Sequence, residues 1–218
     1  PRHGLEILPL DGTFTPMTNG DYLWRVNDHA QTRREIARHS RRDAEAYEEY
    51  GRAMVDMGRF AKPLLEMTPP DPTSRDPRAL MQLLSIANRF RTLSRTEQQT
   101  QAQLATMSAV DFLDQWFETD ILKATMAASG IIGTFLGVRS PGTAYVLLHH
   151  YMGEIDGAFR SWGLPRGGTG AISNAIAGAA REAGVQIETG AGVAKVLLNR
   201  GRASGVVLEN GDYVFADI

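Results

Sequence analysis

The sequence predicts an α/β protein, α+β within these residues, in which a mostly helical region is joined to a smaller mixed part. Two observations carry that reading. Apolar residues recur at three- and four-residue spacings between Gln31 and Phe159, the period of helices that bury one side. After Trp162 the pattern changes to a glycine-rich turn, one alanine-rich helix and short runs of strand type separated by tight turns. The expected organisation is short strands over 1–30, a mostly helical region over 31–160 and a mixed part over 161–218.

Residues 5–10 and 22–26 read as two short strands, separated by Asp11, Gly12, Pro16 and the Asn19-Gly20 turn pair. Thr32, Arg33, Arg34 and Glu35 match a capping box, so a helix is expected to begin at Thr32. Ser40 caps the next helix, whose Ala44, Tyr47, Gly51, Met54, Val55, Gly58, Ala61 and Leu65 fall on one side, with Pro63 kinking its end. The stiff Pro69-Pro70-Asp71-Pro72 link leads to a helix carrying Leu80, Leu83, Leu84, Ala87 and Phe90. Further helices are expected over 98–107, from Ser108 and Asp111 through Phe112, Leu113, Trp116 and Phe117, and over 121–129. Ser140 at the N-cap and Pro141 at the first position open another, with Tyr145, Leu148 and Met152 on a common face. Tyr145, Val146 and Leu147 also suit a strand, and the proline decides for helix.

In the last part, Gly163, Pro165, Gly167, Gly168 and Gly170 make a turn feeding a helix over 171–183, stopped by Gly184. Strands follow over 185–188, 192–198, 203–209 and 212–218, the last three joined by Asn199-Arg200-Gly201 and Asn210-Gly211.

Composition removes several functions. A net charge of -2, with 22% charged residues, gives no footprint for nucleic acid or an anionic membrane. The absence of cysteine excludes disulfides, thiolate metal sites and cysteine nucleophiles, and fits the cytoplasm. The longest apolar runs, near Ile131 and Tyr145, are cut by Gly133, Gly137 and His149, well short of the roughly 20 residues a membrane helix needs. Peripheral membrane contact and oligomeric state stay open. The sequence opens at Pro1 without a methionine and stops at Ile218 in a strand-like run, so an interior piece of a longer protein is expected.

Few residues offer chemistry. Gly168-Thr169-Gly170-Ala171-Ile172-Ser173 approaches a dinucleotide fingerprint, but Trp162, Gly163 and Pro165 lead into it where a strand should, and serine replaces the closing glycine. A tight turn is the preferred reading. His149 and His150 lack metal-ligand spacing, although one could polarise a substrate; a solvent-facing or hydrogen-bonded role is favoured. Glu118 and Asp120 suit the positive end of a helix better than acid–base work. No serine lies in a Gly-x-Ser-x-Gly elbow. Arg33, Arg34, Arg38, Arg41 and Arg42 alternate with acids as a solvated face. Trp116, Phe117, Phe135, Tyr145, Tyr151 and Phe159 read as mostly core, the same residue types that would line an apolar substrate tunnel.

The tail carries a resemblance. Trp162-Gly163-Leu164-Pro165-Arg166-Gly167-Gly168-Thr169-Gly170, a helix, then Val185-Gln186-Ile187-Glu188-Thr189-Gly190-Ala191-Gly192-Val193 is similar to the phytoene dehydrogenase-like flavoproteins. Ser140 to Tyr145, Met152-Gly153-Glu154 and Phe112 to Phe117 resemble the branch called pyridine nucleotide-disulfide oxidoreductase domain-containing protein 2. The resemblance implies an FAD-dependent oxidoreductase that moves a hydride from a largely apolar small molecule to flavin. It implies a helical substrate-binding region inserted in an FAD domain assembled from several segments, of which 161–218 would be an incomplete part. Val193 matches the position whose backbone meets the adenine edge of FAD, and Gly167 and Gly168 match glycines that let the backbone pass close to the flavin. Tyr145, His149 and Trp162 are substrate-pocket candidates. No catalytic residue and no metal site is assigned. The dinucleotide loop and the closing segment of the family are absent from these residues, so the isolated piece is expected to lack FAD and activity. A non-catalytic module binding an apolar ligand or partner, and an amine-oxidising flavoenzyme, are the alternatives.

Overall fold

In the computed structural model, which describes residues 2–65, 67–155, 158–159 and 162–216, the chain divides into two units: Pro9–Gly163, and Pro1–Leu8 with Leu164–Ile218. Helices and small sheets make it a mixed α+β chain, as its two periodicities predict.

The entry differs from expectation. The first strand is only Ile7–Pro9 (β1), and Gly12–Pro16 (β2), taken above as turn, is a strand antiparallel to Tyr22–Val26 (β3). Thr13, Phe14 and Thr15 favour extended backbone, and Gly12 is needed where the carbonyl of Arg25 lies 2.1 Å from any added Cβ. Along β3, Leu23 and Arg25 are buried while Tyr22 and Trp24 are exposed, the alternation of a half-covered strand.

The helix His29–Ala37 (α1) begins three residues before the expected box, because Asp28 caps it by accepting the Gln31 N–H at 2.6 Å. Thr32 instead lies inside it, its buried Oγ1 donating to the Val26 carbonyl and accepting the Val26 N–H. That two-way bond fastens α1 to β3.

Ser40 caps Arg41–Leu65 (α2) through the Asp43 N–H. Its buried stripe includes Ala44, Met54, Gly58 and Ala61, as the spacing predicts, and adds Tyr50, Met57 and Phe60. The stripe is wide because α2 packs against Arg95–Thr106 (α4) as well as Thr143–His149 (α7). Leu65 stays exposed, and Pro63 falls in the last turn. Pro77–Thr92 (α3) buries none of its apolar residues fully; Phe90 packs edge-on against Phe60, while Leu80 and Leu84 face outward.

A complete capping box at Ser94 and Glu97 starts α4, and Ser108 caps Ala109–Asp114 (α5). Asp120–Ala127 (α6) follows. α7 begins at Gly142, with φ of 84°, and not at Ser140 and Pro141. The Ser140 carbonyl accepts both the N–H and Oγ1 of Thr143, closing a turn that leaves Gly142 as the residue able to go left-handed. The core of this unit centres on Tyr50, whose ring meets Phe112, Trp116, Phe117 and Tyr151. Phe135, expected in the core, is fully exposed in the turn-rich loop before α7. Glu154–Ile155 (β4) pairs with Ala158–Phe159 (β5); the side chain of Phe159 lies outside the described residues.

Gly163–Pro165 (β6), read above as part of a turn and belonging to the other unit from Leu164 on, pairs with β1. Gly170–Glu182 (α8) ends at left-handed Gly184. Val193–Asn199 (β7), Arg202–Leu208 (β8) and Tyr213–Phe215 (β9) form the expected antiparallel meander. The strand expected over 185–188 is absent, because no described segment supplies it a ladder partner. Ile176, Val193, Leu198 and Phe215 remain exposed in this unit. Among the described residues, no helix is long and apolar enough to cross a membrane.

Candidate functional site

The helical unit contains a cavity of about 370 Å³ between β2, β3, the start of α1 and the end of α6. Leu10, Val26, Ile132 and Trp162 give it apolar wall, and Thr13, Thr32, Tyr47, Thr125 and Ser129 give it hydroxyls. Arg25, only 8% exposed, reaches it from the buried face of β3. Its Nη2 donates to the Tyr47 hydroxyl at 3.4 Å and its guanidinium lies 5.8 Å from the Tyr47 ring centre, which itself stacks on His29. The local cause of this placement is the period-two alternation of β3: the register that buries Leu23 also carries Arg25 inward.

A second cavity, about 450 Å³, is lined by Lys62, Leu65, His149, His150, Met152, Gly153 and Trp162. Trp162 therefore lines both. Its carbonyl accepts the Leu10 N–H at 2.9 Å, and its ring stacks on His150 at 5.3 Å with 24° between planes. His149 is exposed at the end of α7 and edge-on to His150. Of the three residues that the sequence proposes for the substrate side, His149 and Trp162 share this cavity. Tyr145 is half-buried on α7, packed against the core, and lines neither cavity.

The three cofactor-side residues lie in the other unit. Gly167 and Gly168 have φ of 84° and 88°, and a Cβ built on either would meet no atom within 4 Å. The turn is held by Arg166, whose N–H bonds to the Glu6 carbonyl and whose guanidinium grips the Glu6 carboxylate at 2.6 and 3.2 Å. That hydrogen bond, ahead of the charge attraction, holds the Glu6 carboxyl below its ordinary range and raises Arg166. Val193 opens β7, an edge strand of the meander, so half of the strand's backbone groups have no ladder partner within the sheet.

One buried acid escaped sequence reasoning. Asp43, fully buried on α2, accepts the N–H groups of Glu118 and Thr119 at 2.8 and 3.0 Å and the Thr119 hydroxyl. It fastens the two residues that lead into α6 to a distant helix, so Glu118 and Asp120 flank a helix start anchored by another acid. Glu118 instead takes hydrogen bonds from Ser40 and Arg42. Among the described residues, no group of three acids or imidazoles is placed to hold a metal ion.

The profile of the family described as flavin containing amine oxidoreductase matches residues 14–218, nearly the whole chain. The chain belongs to that family. Relatives of the chain include pyridine nucleotide-disulfide oxidoreductase domain-containing protein 2 of Rattus norvegicus, 36% identical over 228 residues, and its Mus musculus counterpart, 37% identical over 228 residues. Each alignment covers 98% of this chain, and the chain spans 39% of the length of these curated relatives. An uncharacterized protein of Mycobacterium tuberculosis is 36% identical over 76 residues, 34% of this chain and 14% of its own length.

The residues present fit a flavin cofactor as far as they extend. Two consecutive left-handed glycines leave open space where side chains would block a close approach, and an edge strand keeps backbone donors and acceptors available.

Proposed function

We propose that this chain is the substrate-binding and partial cofactor-binding portion of an FAD-dependent oxidoreductase of phytoene dehydrogenase-like type, acting on a largely apolar small molecule. The observation that carries the reading is the pair of cavities sharing Trp162, each offering apolar wall in a family that is flavin-containing. When bound, FAD would accept a hydride, so the protein itself needs to supply orientation and exclusion of water and no nucleophile. Gly167, Gly168 and the backbone of Val193 are the groups of this chain that would meet FAD. Trp162 and His149 would line the substrate side, with the core-packed Tyr145 supporting α7 behind them.

The family description favours amine oxidation as a second reading. Arg25 weighs against a protonated amine in the smaller cavity, since a buried guanidinium repels another cation.

The test is an absorption spectrum of the full-length gene product, with identification of the released cofactor. Bound FAD is the expected result. A colourless full-length protein that cannot be reconstituted with FAD would overturn the proposal.

A further inference from the structure

Arginine stays charged at any physiological pH, so a guanidinium taken out of water must find an anion or fill its donors another way. Several arginines of this unit meet an acid while still at the surface. Arg38 holds Asp21 and Glu35 at 2.6 and 2.8 Å, Arg33 holds Glu48 at 3.1 Å, and Arg42 holds Glu118 at 3.2 Å. Arg25 is the one arginine in the buried class among the described residues, and no described carboxylate lies within ion-pair distance of it. Its Nε is buried with no hydrogen-bond partner, and its single hydrogen bond, to Tyr47, is long. The Tyr47 ring offsets part of the charge from one side.

The cavity beside Arg25 contains no aspartate or glutamate in its lining. Thr13 and Ser129 bring hydroxyls to it that make no hydrogen bond among the described residues. The remaining wall is mixed: Leu10, Val26, Ile132 and Trp162 give an apolar part, and Asn27 and His29 add neutral polar or imidazole groups but no carboxylate. A buried cation with spare donors, in a cavity that has an apolar wall of its own and no acid, is complementary to an anion carried on an apolar body. We infer that this cavity binds a carboxylate-bearing apolar small molecule, its carboxylate on Arg25 and its hydrocarbon against Ile132 and Trp162.

A carboxylate suits the site better than a phosphate. One guanidinium supplies one charge in a planar fork that matches two carboxylate oxygens, whereas a dianionic phosphate would leave charge uncompensated in the same burial. The inference rests on the reading of this unit as the substrate side, and it names the substrate class as organic acids. It makes no use of the flavin residues, so its failure and that of the flavin proposal are separable.

The experiment uses the full-length protein with octanoate as probe and octan-1-ol as a neutral control of equal chain length, both titrated by calorimetry, with flavin content read from the absorption spectrum in parallel. Octanoate is expected to bind measurably more tightly than octan-1-ol. Arg25→Gln is expected to weaken octanoate at least about tenfold, from the loss of a charge-assisted hydrogen bond, while leaving octan-1-ol and flavin content unchanged. Arg25→Lys keeps the charge without the fork, and an intermediate loss is expected; it also decides the matter if Arg25→Gln fails to fold. Equal binding of the two probes to the wild type, or octanoate binding unaltered in both variants, would overturn the inference whether or not flavin is bound. Loss of flavin with octanoate discrimination retained would leave it standing and sink the cofactor reading instead.

Discussion

Replacing Asp43 by alanine should destabilise the helical unit more than any substitution at its surface. The carboxylate is fully buried and accepts two backbone N–H groups and one hydroxyl across 75 and 76 residues of sequence, at the positive end of α6. A hydrogen bond to a charged acceptor contributes about 1.5–3 kcal/mol net, and three such bonds sum to roughly 5–9 kcal/mol before discounting. Glu118 and Thr119 are only partly buried, so water can replace some of the lost acceptor, and one group's bonds are not independent. The expected loss is therefore about 3–5 kcal/mol, in line with removing one partner of a buried charged interaction. For a unit of this size that lowers Tm by roughly 6–20 °C. Asp43→Asn keeps one carbonyl acceptor and turns a donor toward the other N–H, so it should fall between wild type and alanine. Urea unfolding followed by far-UV circular dichroism measures both. A shift of midpoint worth less than about 1 kcal/mol for Asp43→Ala, at unchanged slope, would refute the claim that this acid holds α6 to α2.

Gly130→Ala should cost about 1–3 kcal/mol by overpacking, since a Cβ there would lie 2.8 Å from that of Ala109 and 3.0 Å from the Thr143 carbonyl; the same unfolding assay reads it, and a neutral result would show that the contact relaxes freely. Thr32→Val is nearly isosteric but leaves the Val26 N–H and carbonyl without their partner, and should cost about 1–3 kcal/mol, with faster hydrogen exchange at the Val26 amide as the specific sign. Asp21 is held below its ordinary pKa of 3.8, first by the Tyr22 N–H and then by Arg38. Because its folded pKa is depressed, its contribution is present above pH 3.8 and is lost as pH falls through the lower folded value. Asp21→Asn should therefore reduce the acid-side slope of stability against pH, and an unaltered acid limb would rule this out.

Much of the fold was legible because it rests on local chemistry. Ser40 and Ser108 cap the helices they precede, and Asn199-Arg200-Gly201 and Asn210-Gly211 turn the meander where residues of positive φ are required. Local signals misled where a distant group competed for the same atoms. Thr32 has the spacing of a cap, yet its hydroxyl bonds the β3 backbone, and Asp28 caps the helix instead. Ser140 and Pro141 spell a helix start, but the Thr143 side chain closes a turn on the Ser140 carbonyl while receiving the Ala109 N–H. The run 185–188 has strand composition, and a strand exists only where a neighbour completes its ladder.

The candidate site divides in the same way. Gly167 and Gly168 were assigned through the family resemblance, and both adopt left-handed backbone. Trp162 and His149 were chosen by type, and one cavity brings them together. Arg25 gave no warning: it sits between Trp24 and Val26 in a short strand, and only the register of β3, which buries Leu23 and Arg25 on one face, takes its charge out of water. Asp43 was equally silent, since its partners lie far along the chain. The sequence by itself determined where most helices lie, the Ser40 and Ser108 caps, the meander and the resemblance to a flavoprotein family, because periodicity, capping and turn chemistry act over a few residues. The tertiary structure alone decided which charges are buried and what they face, because burial depends on what packs on a residue from elsewhere in the chain.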